Sequence, residues 1–137
     1  MKPKELVALA TEARENAYCP YSGFAVGAAL ECADGTVYTG CNIENAAFGP
    51  SVCAERTAVF KAVSEGRRDF AALAVVGGRA GLPVDRACPP CGVCRQVLRE
   101  FCNDEFPVYL SDGKSVRTLR LGELLPESFR AGEQLRS

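Results

Sequence analysis

Nine consecutive residues, FAALAVVGG at 70–78, carry no charged or polar side chain. Arg67, Arg68 and Asp69 precede them and Arg79 follows, so the run has the length of a strand rather than of a buried helix. A strand without a polar face is covered on both sides. That single requirement points to a layered α/β chain, in which helices cover a sheet from above and below.

The rest of the sequence supplies those layers. Residues 4–17 place Leu6, Leu9, Ala10, Ala13 and Ala17 at helical spacing, and the turn-rich YCPYSG (18–23) ends the predicted helix. FAVGAALECA (24–33) alternates Phe24, Val26, Ala28 and Leu30 on one face, ADG (33–35) is a hairpin signal, and TVYTGC (36–41) returns as a strand. NIENAAFGPS (42–51) is a polar loop, and residues 52–66 read as a helix with Ser51 as N-cap and Gly66 as C-cap. A second core helix is expected over 91–102 behind Pro89 and Pro90. A strand at 106–113, a weaker strand at 115–118 and a short helix near 122–125 complete the order. Strands interleaved with helices predict a mixed sheet with helices on its faces, built as a single domain over 1–137.

The composition is sharpest in what it lacks. The sequence contains no histidine, which removes Ser-His-Asp triads, Cys-His nucleophiles and HExxH metal sites. A transition-metal site here must rest on thiolates. Eight cysteines are available, and MKPKELVALATEAREN shows no signal-peptide pattern, so the expected compartment is the reducing cytoplasm and metal or catalytic use outranks a disulfide scaffold. A net charge of −1 provides no general field for nucleic acid or an anionic membrane, and no apolar run is long enough to span a bilayer.

The cysteine pattern carries the chemistry. Cys91 and Cys94 lie three apart at a predicted helix start, where both sulfurs face one way and the helix N-terminus favours thiolates. Cys53 occupies the first turn of another predicted helix, with Glu55 two residues on and Arg56 beside it as a counter-charge. If the two helix starts align, three thiolates hold a zinc ion with a fourth position open to water, and Glu55 is placed to move that water's protons. Two other readings use the same residues. Cys88-Pro-Pro-Cys91 is itself a CxxC and can serve redox exchange. Cys88 can also join Cys53, Cys91 and Cys94 in a closed site of four thiolates, which would make the chain a non-enzymatic structural zinc module.

C-A-E at 53–55 followed by P-C-G-V-C at 90–94 is the all-thiolate form of the zinc-deaminase signature. Together with YCPYSGFAVGAAL (18–30), GCNIENAAFG (40–49) and LLPESF (124–129), it resembles the cytidine deaminase family, specifically its small homotetrameric members. The resemblance implies a three-layer fold with a sheet of about five strands. It implies one Zn²⁺ per subunit on Cys53, Cys91 and Cys94, with Glu55 as general base and acid. Asn42 and Glu44 would bind the ribose hydroxyls, Phe24 would pack on the pyrimidine, and the Ala54 N–H would meet the base carbonyl. Ala46, Phe48 and Phe129 would reach a neighbouring subunit's pocket, Phe48 standing where a tyrosine is common in the family. Without the resemblance, Phe24 reads as a core strand residue and Asn42 and Glu44 as loop residues. The implied activity is hydrolytic deamination of cytidine and 2′-deoxycytidine in pyrimidine salvage, with no nucleic-acid or membrane partner. Deamination of a cytosine-bearing antibiotic such as blasticidin S is the alternative within the superfamily.

Overall fold

The computed structural model describes residues 1–130. Strands β1 (Phe24–Cys32), β2 (Val37–Cys41), β3 (Phe70–Arg79), β4 (Pro107–Ser111) and β5 (Val116–Arg120) form one sheet in the order β2-β1-β3-β4-β5. The β3–β4 pair is parallel and the other three pairs are antiparallel, so the expected mixed sheet is present. The apolar run at 70–78 is its central strand, and Leu73, Ala74 and Val75 have no exposed surface.

Helix α1 (Pro3–Ala13) continues as a 3-10 turn, Arg14–Asn16, and covers one face. Its Leu6 and Ala10 pack on Ala29, Ala72, Ala74 and Val76. Gly27 permits this contact, because a Cβ there would lie 2.0 Å from the Ala10 carbonyl oxygen. Buried Arg14 locks the layer: its Nε donates to the Ala25 carbonyl at 3.0 Å and its Nη2 to the Arg79 carbonyl at 2.6 Å.

The opposite face carries α2 (Ala54–Ser64) and α3 (Gly92–Phe101), with the short α4 (Leu121–Leu124) beside α3. Ala54, Ala58, Val59 and Ala62 of α2 join Ala28, Leu30, Leu73, Val75 and Leu98 in the larger core. Small side chains let α2 approach β2 so closely that a Cβ on Gly40 would stand 2.5 Å from the Ala54 carbonyl oxygen and 2.6 Å from the Ala58 nitrogen. Two helix layers thus enclose the sheet. The N-cap of α2 is Cys53, not Ser51, whose hydroxyl instead accepts a hydrogen bond from the Asn45 N–H at 3.0 Å. Gly66, just beyond α2, takes the left-handed φ of 89° that ends helices.

Candidate active site

Helices α2 and α3 both begin on a cysteine. Cys53 and Cys91 are the N-caps, and neither helix has a side-chain cap bond. Their sulfurs are therefore free to face each other. Cys53 Sγ lies 3.7 Å from Cys91 Sγ, Cys91 Sγ lies 3.3 Å from Cys94 Sγ, and all three fall within 4.8 Å of one another. Tetrahedral zinc–thiolate bonds of ~2.3 Å imply sulfur–sulfur edges of about 3.8 Å, so the triangle suits that ion. Cys88 is not among the sulfurs of this cluster.

The electrostatics ask for a cation. The Cys53 thiol is drawn down to about 5, chiefly by hydrogen bonding with Cys94, with Arg56 and Cys91 adding. Cys94 is pushed up by the same bond and then by burial. Without a metal Cys53 and Cys94 thus do not ionise together, because like charges at this spacing oppose one another. Arg56 supplies one positive charge, with Nη2 3.4 Å from Cys53 Sγ, and its buried Nε makes no hydrogen bond. A divalent cation completes the balance, so the donor set fits zinc.

Glu55 is 4% exposed, in the first turn of α2. Burial pushes its carboxyl up to about 7, and the charge of Cys53 adds to the rise. A carboxyl held there both takes and gives a proton near neutral pH. Burial also raises the Cys88 thiol, to about 11, followed by the charges of Glu55 and Cys53.

These groups border a cavity of about 510 Å³ that brings together Phe24, Asn42, Glu44, Phe48, Cys53, Ala54, Glu55 and Cys91. Asn42 is held by β1: its Oδ1 accepts the Val26 N–H at 2.9 Å and its Nδ2 donates to the Phe24 carbonyl at 2.8 Å. The Glu44 carboxylate accepts the N–H groups of Tyr21 and Ser22 at 3.0 and 3.1 Å and the Ser22 hydroxyl, and the Ser22 bonds hold it below the usual carboxylate range. Ala46 is exposed and does not line the cavity. Phe129 does not line it either and is 57% exposed, so it does not seal this chain's own core.

Two contributors are not expected from the sequence. Ser22 orients Glu44, and Gly77 leaves the space in which Phe24 and Cys88 meet. A Cβ on Gly77 would lie 2.8 Å from Cys88 Sγ and 2.9 Å from Phe24 Cε2. The Ser-Gly turn ahead of β1 is the only local signal for the first; the second has none.

The sequence profile of the cytidine and deoxycytidylate deaminase zinc-binding region matches residues 1–110 of this chain. The chain belongs to that family. It is 54% identical to a cytidine deaminase of Sporosarcina psychrophila over 130 residues, 94% of this chain and 92% of the relative. It is 50% identical to the cytidine deaminase of Halalkalibacterium halodurans, over 96% of each chain. The crystal structure of cytidine deaminase from Burkholderia pseudomallei superposes with a TM-score of 0.85 at 46% identity, covering 94% of this chain and all of that one. A blasticidin-S deaminase of Bacillus cereus is more distant, at 34% identity over 91% of this chain and 90% of its own length. Family membership accounts for zinc as the metal that suits the cluster.

Proposed function

We propose that this chain is a zinc-dependent cytidine deaminase, converting cytidine and 2′-deoxycytidine to uridine and 2′-deoxyuridine with release of ammonia. The observation that carries the reading is buried Glu55, two residues from Cys53, facing a cavity bordered by Cys53 and Cys91 of the thiolate cluster. Cys53, Cys91 and Cys94 hold the metal. Zinc, when bound, supplies the Lewis acidity that brings the pKa of water toward ~7.

The protein's own groups do the rest. Glu55 accepts one proton of the attacking water and delivers it to N3 of the ring, where it remains in uridine. Glu55 then carries the second proton to the exocyclic nitrogen as the C4–N bond breaks, and ammonia leaves. One carboxyl suffices because it alternates between base and acid. The Ala54 N–H, at the first turn of α2, meets the base carbonyl, and Phe24 packs on the pyrimidine. Asn42 and Glu44 receive the ribose hydroxyls. Their existing bonds to β1 and to the turn before it fix both side chains before substrate arrives, so little ordering entropy is lost on binding.

Ala46, Phe48 and Phe129 act on a neighbouring subunit of a homotetramer, Phe48 reaching out from the rim of its own chain's cavity. The exposed rings of Phe48 and Phe129 support this assignment, since neither is satisfied within its own chain. The reading places the enzyme in the cytoplasm, in pyrimidine salvage. Among the described residues no helix is long and apolar enough to cross a membrane. The single domain of this reading spans 1–137, of which 131–137 lie outside the described residues. The test is to count zinc per chain and follow ammonia release with cytidine, deoxycytidine and blasticidin S. About one zinc and turnover of the nucleosides are expected; reaction with the antibiotic alone would overturn the reading.

A further inference from the structure

Residues 125–130, after α4, have no regular secondary structure, yet they carry Phe129. Side chains of α3 hold the end of α4 and the backbone of this segment. Arg95 Nη1 donates to the Leu124 carbonyl at 2.7 Å, Arg99 Nη2 to the Leu125 carbonyl at 3.3 Å, and Gln96 Nε2 to the Phe129 carbonyl at 3.0 Å. Arg95 differs from the other two because it also faces the metal loop: its Nε donates to the Pro90 carbonyl at 2.7 Å. Pro90 is fully buried and directly precedes Cys91. One guanidinium therefore bonds the loop that leads into a cluster sulfur and the last residue of α4, from which the segment with Phe129 departs. Its planar fork does what an ammonium cannot, holding two carbonyls in fixed directions at once.

We propose that Arg95 is a positioning residue, joining the Cys91 loop to the end of α4, where the C-terminal segment begins, so that Phe129 is presented at a constant place relative to the metal cluster. The kinetic part rests on the deaminase reading and on Phe129 acting at a pocket; the structural part does not. The chain has no tryptophan, so Phe129→Trp places a lone reporter on the segment.

In zinc-loaded protein carrying Phe129→Trp, Arg95→Gln is expected to lower the fluorescence anisotropy of the introduced indole while zinc per chain stays at the parent value. With Phe129 in place, the same substitution should raise KM for cytidine about five- to tenfold and lower kcat less than twofold, the scale of one lost hydrogen bond. Added to Phe129→Ala, it should raise KM no further, and Arg95→Lys should rescue only part of the anisotropy. Unchanged anisotropy overturns the proposal. So does a KM effect that adds fully to Phe129→Ala, or zinc loss in proportion to lost activity, which would make Arg95 a brace of the metal loop alone. If Phe129→Ala leaves KM unmoved, or the parent does not deaminate cytidine, the functional reading fails and the anisotropy still decides the tie.

Discussion

Helices α2 and α3 start alike and are held differently. Each is capped by a cysteine whose sulfur enters the metal cluster. The start of α2 is pressed onto β2 at Gly40, backbone against backbone, and brings buried Glu55 and Arg56. The start of α3 is open. Gly92 has nothing within 4 Å of where its Cβ would be, and besides the core contact of Leu98 the helix is tied through its polar side chains to residues 124–129. Glu55, the proposed proton carrier, thus sits on the rigidly packed helix, where an error of position is costly. The helix that completes the metal site is the one connected to the exposed segment bearing Phe129.

The contrast between the helices breaks most completely at the cluster itself. Cys94→Ala removes its buried sulfur, and zinc per chain and turnover should both fall to background, measured by metal analysis and ammonia release. Glu55→Gln separates the two helices: zinc should remain, while kcat drops ~10²–10⁴-fold, the worth of a general acid–base group.

Glu55 also makes the metal-free protein pH-sensitive. Its folded carboxyl lies at about 7 against an ordinary 4.5, so burial opposes the ionised form. That cost is absent below 4.5, grows as pH rises, and is complete above about 7. Metal-free Glu55→Gln should therefore resist urea more than the metal-free parent by about 3 kcal/mol near pH 8. The two should match near pH 4, and a difference that persists there would contradict burial as the cause.

Two glycines sharpen the contrast further. Gly40→Ala must push α2 off the sheet, costing about 1–3 kcal/mol in urea unfolding and weakening zinc binding. Gly92→Ala should change stability by less than about 1 kcal/mol. The smallest effect is expected at Cys88, which packs near Gly77 outside the cluster. Cys88→Ala should keep zinc at the parent content, whereas loss of the metal would revive a closed four-cysteine site.

The thiolate cluster and the proposed proton carrier beside it are legible in the amino-acid order. Cys53, Glu55, Cys91 and Cys94 lie at helix starts, and helix starts are marked by local spacing, by proline and by the onset of a periodic apolar face. The layering is legible too: 70–78 has no polar face and must be covered on both sides, while its central place in the strand order comes from the fold. Ser51 misleads, because a serine before a helix resembles a cap unless its hydroxyl is already engaged, here by Asn45.

What the amino-acid order determines by itself, then, is the layered α/β class, the thiolate chemistry forced by the absence of histidine, and the pairing of a glutamate with a cysteine ligand. Tertiary structure alone decided the rest. It set the approach of α2 to Gly40, the room at Gly77, the engagement of Asn42 by β1, and the tie from Arg95 to Leu124. The last of these joins groups 29 residues apart, and the sulfurs of Cys53 and Cys91 meet across 38. Such contacts depend on how whole layers settle against one another, and neither periodicity nor propensity encodes that distance.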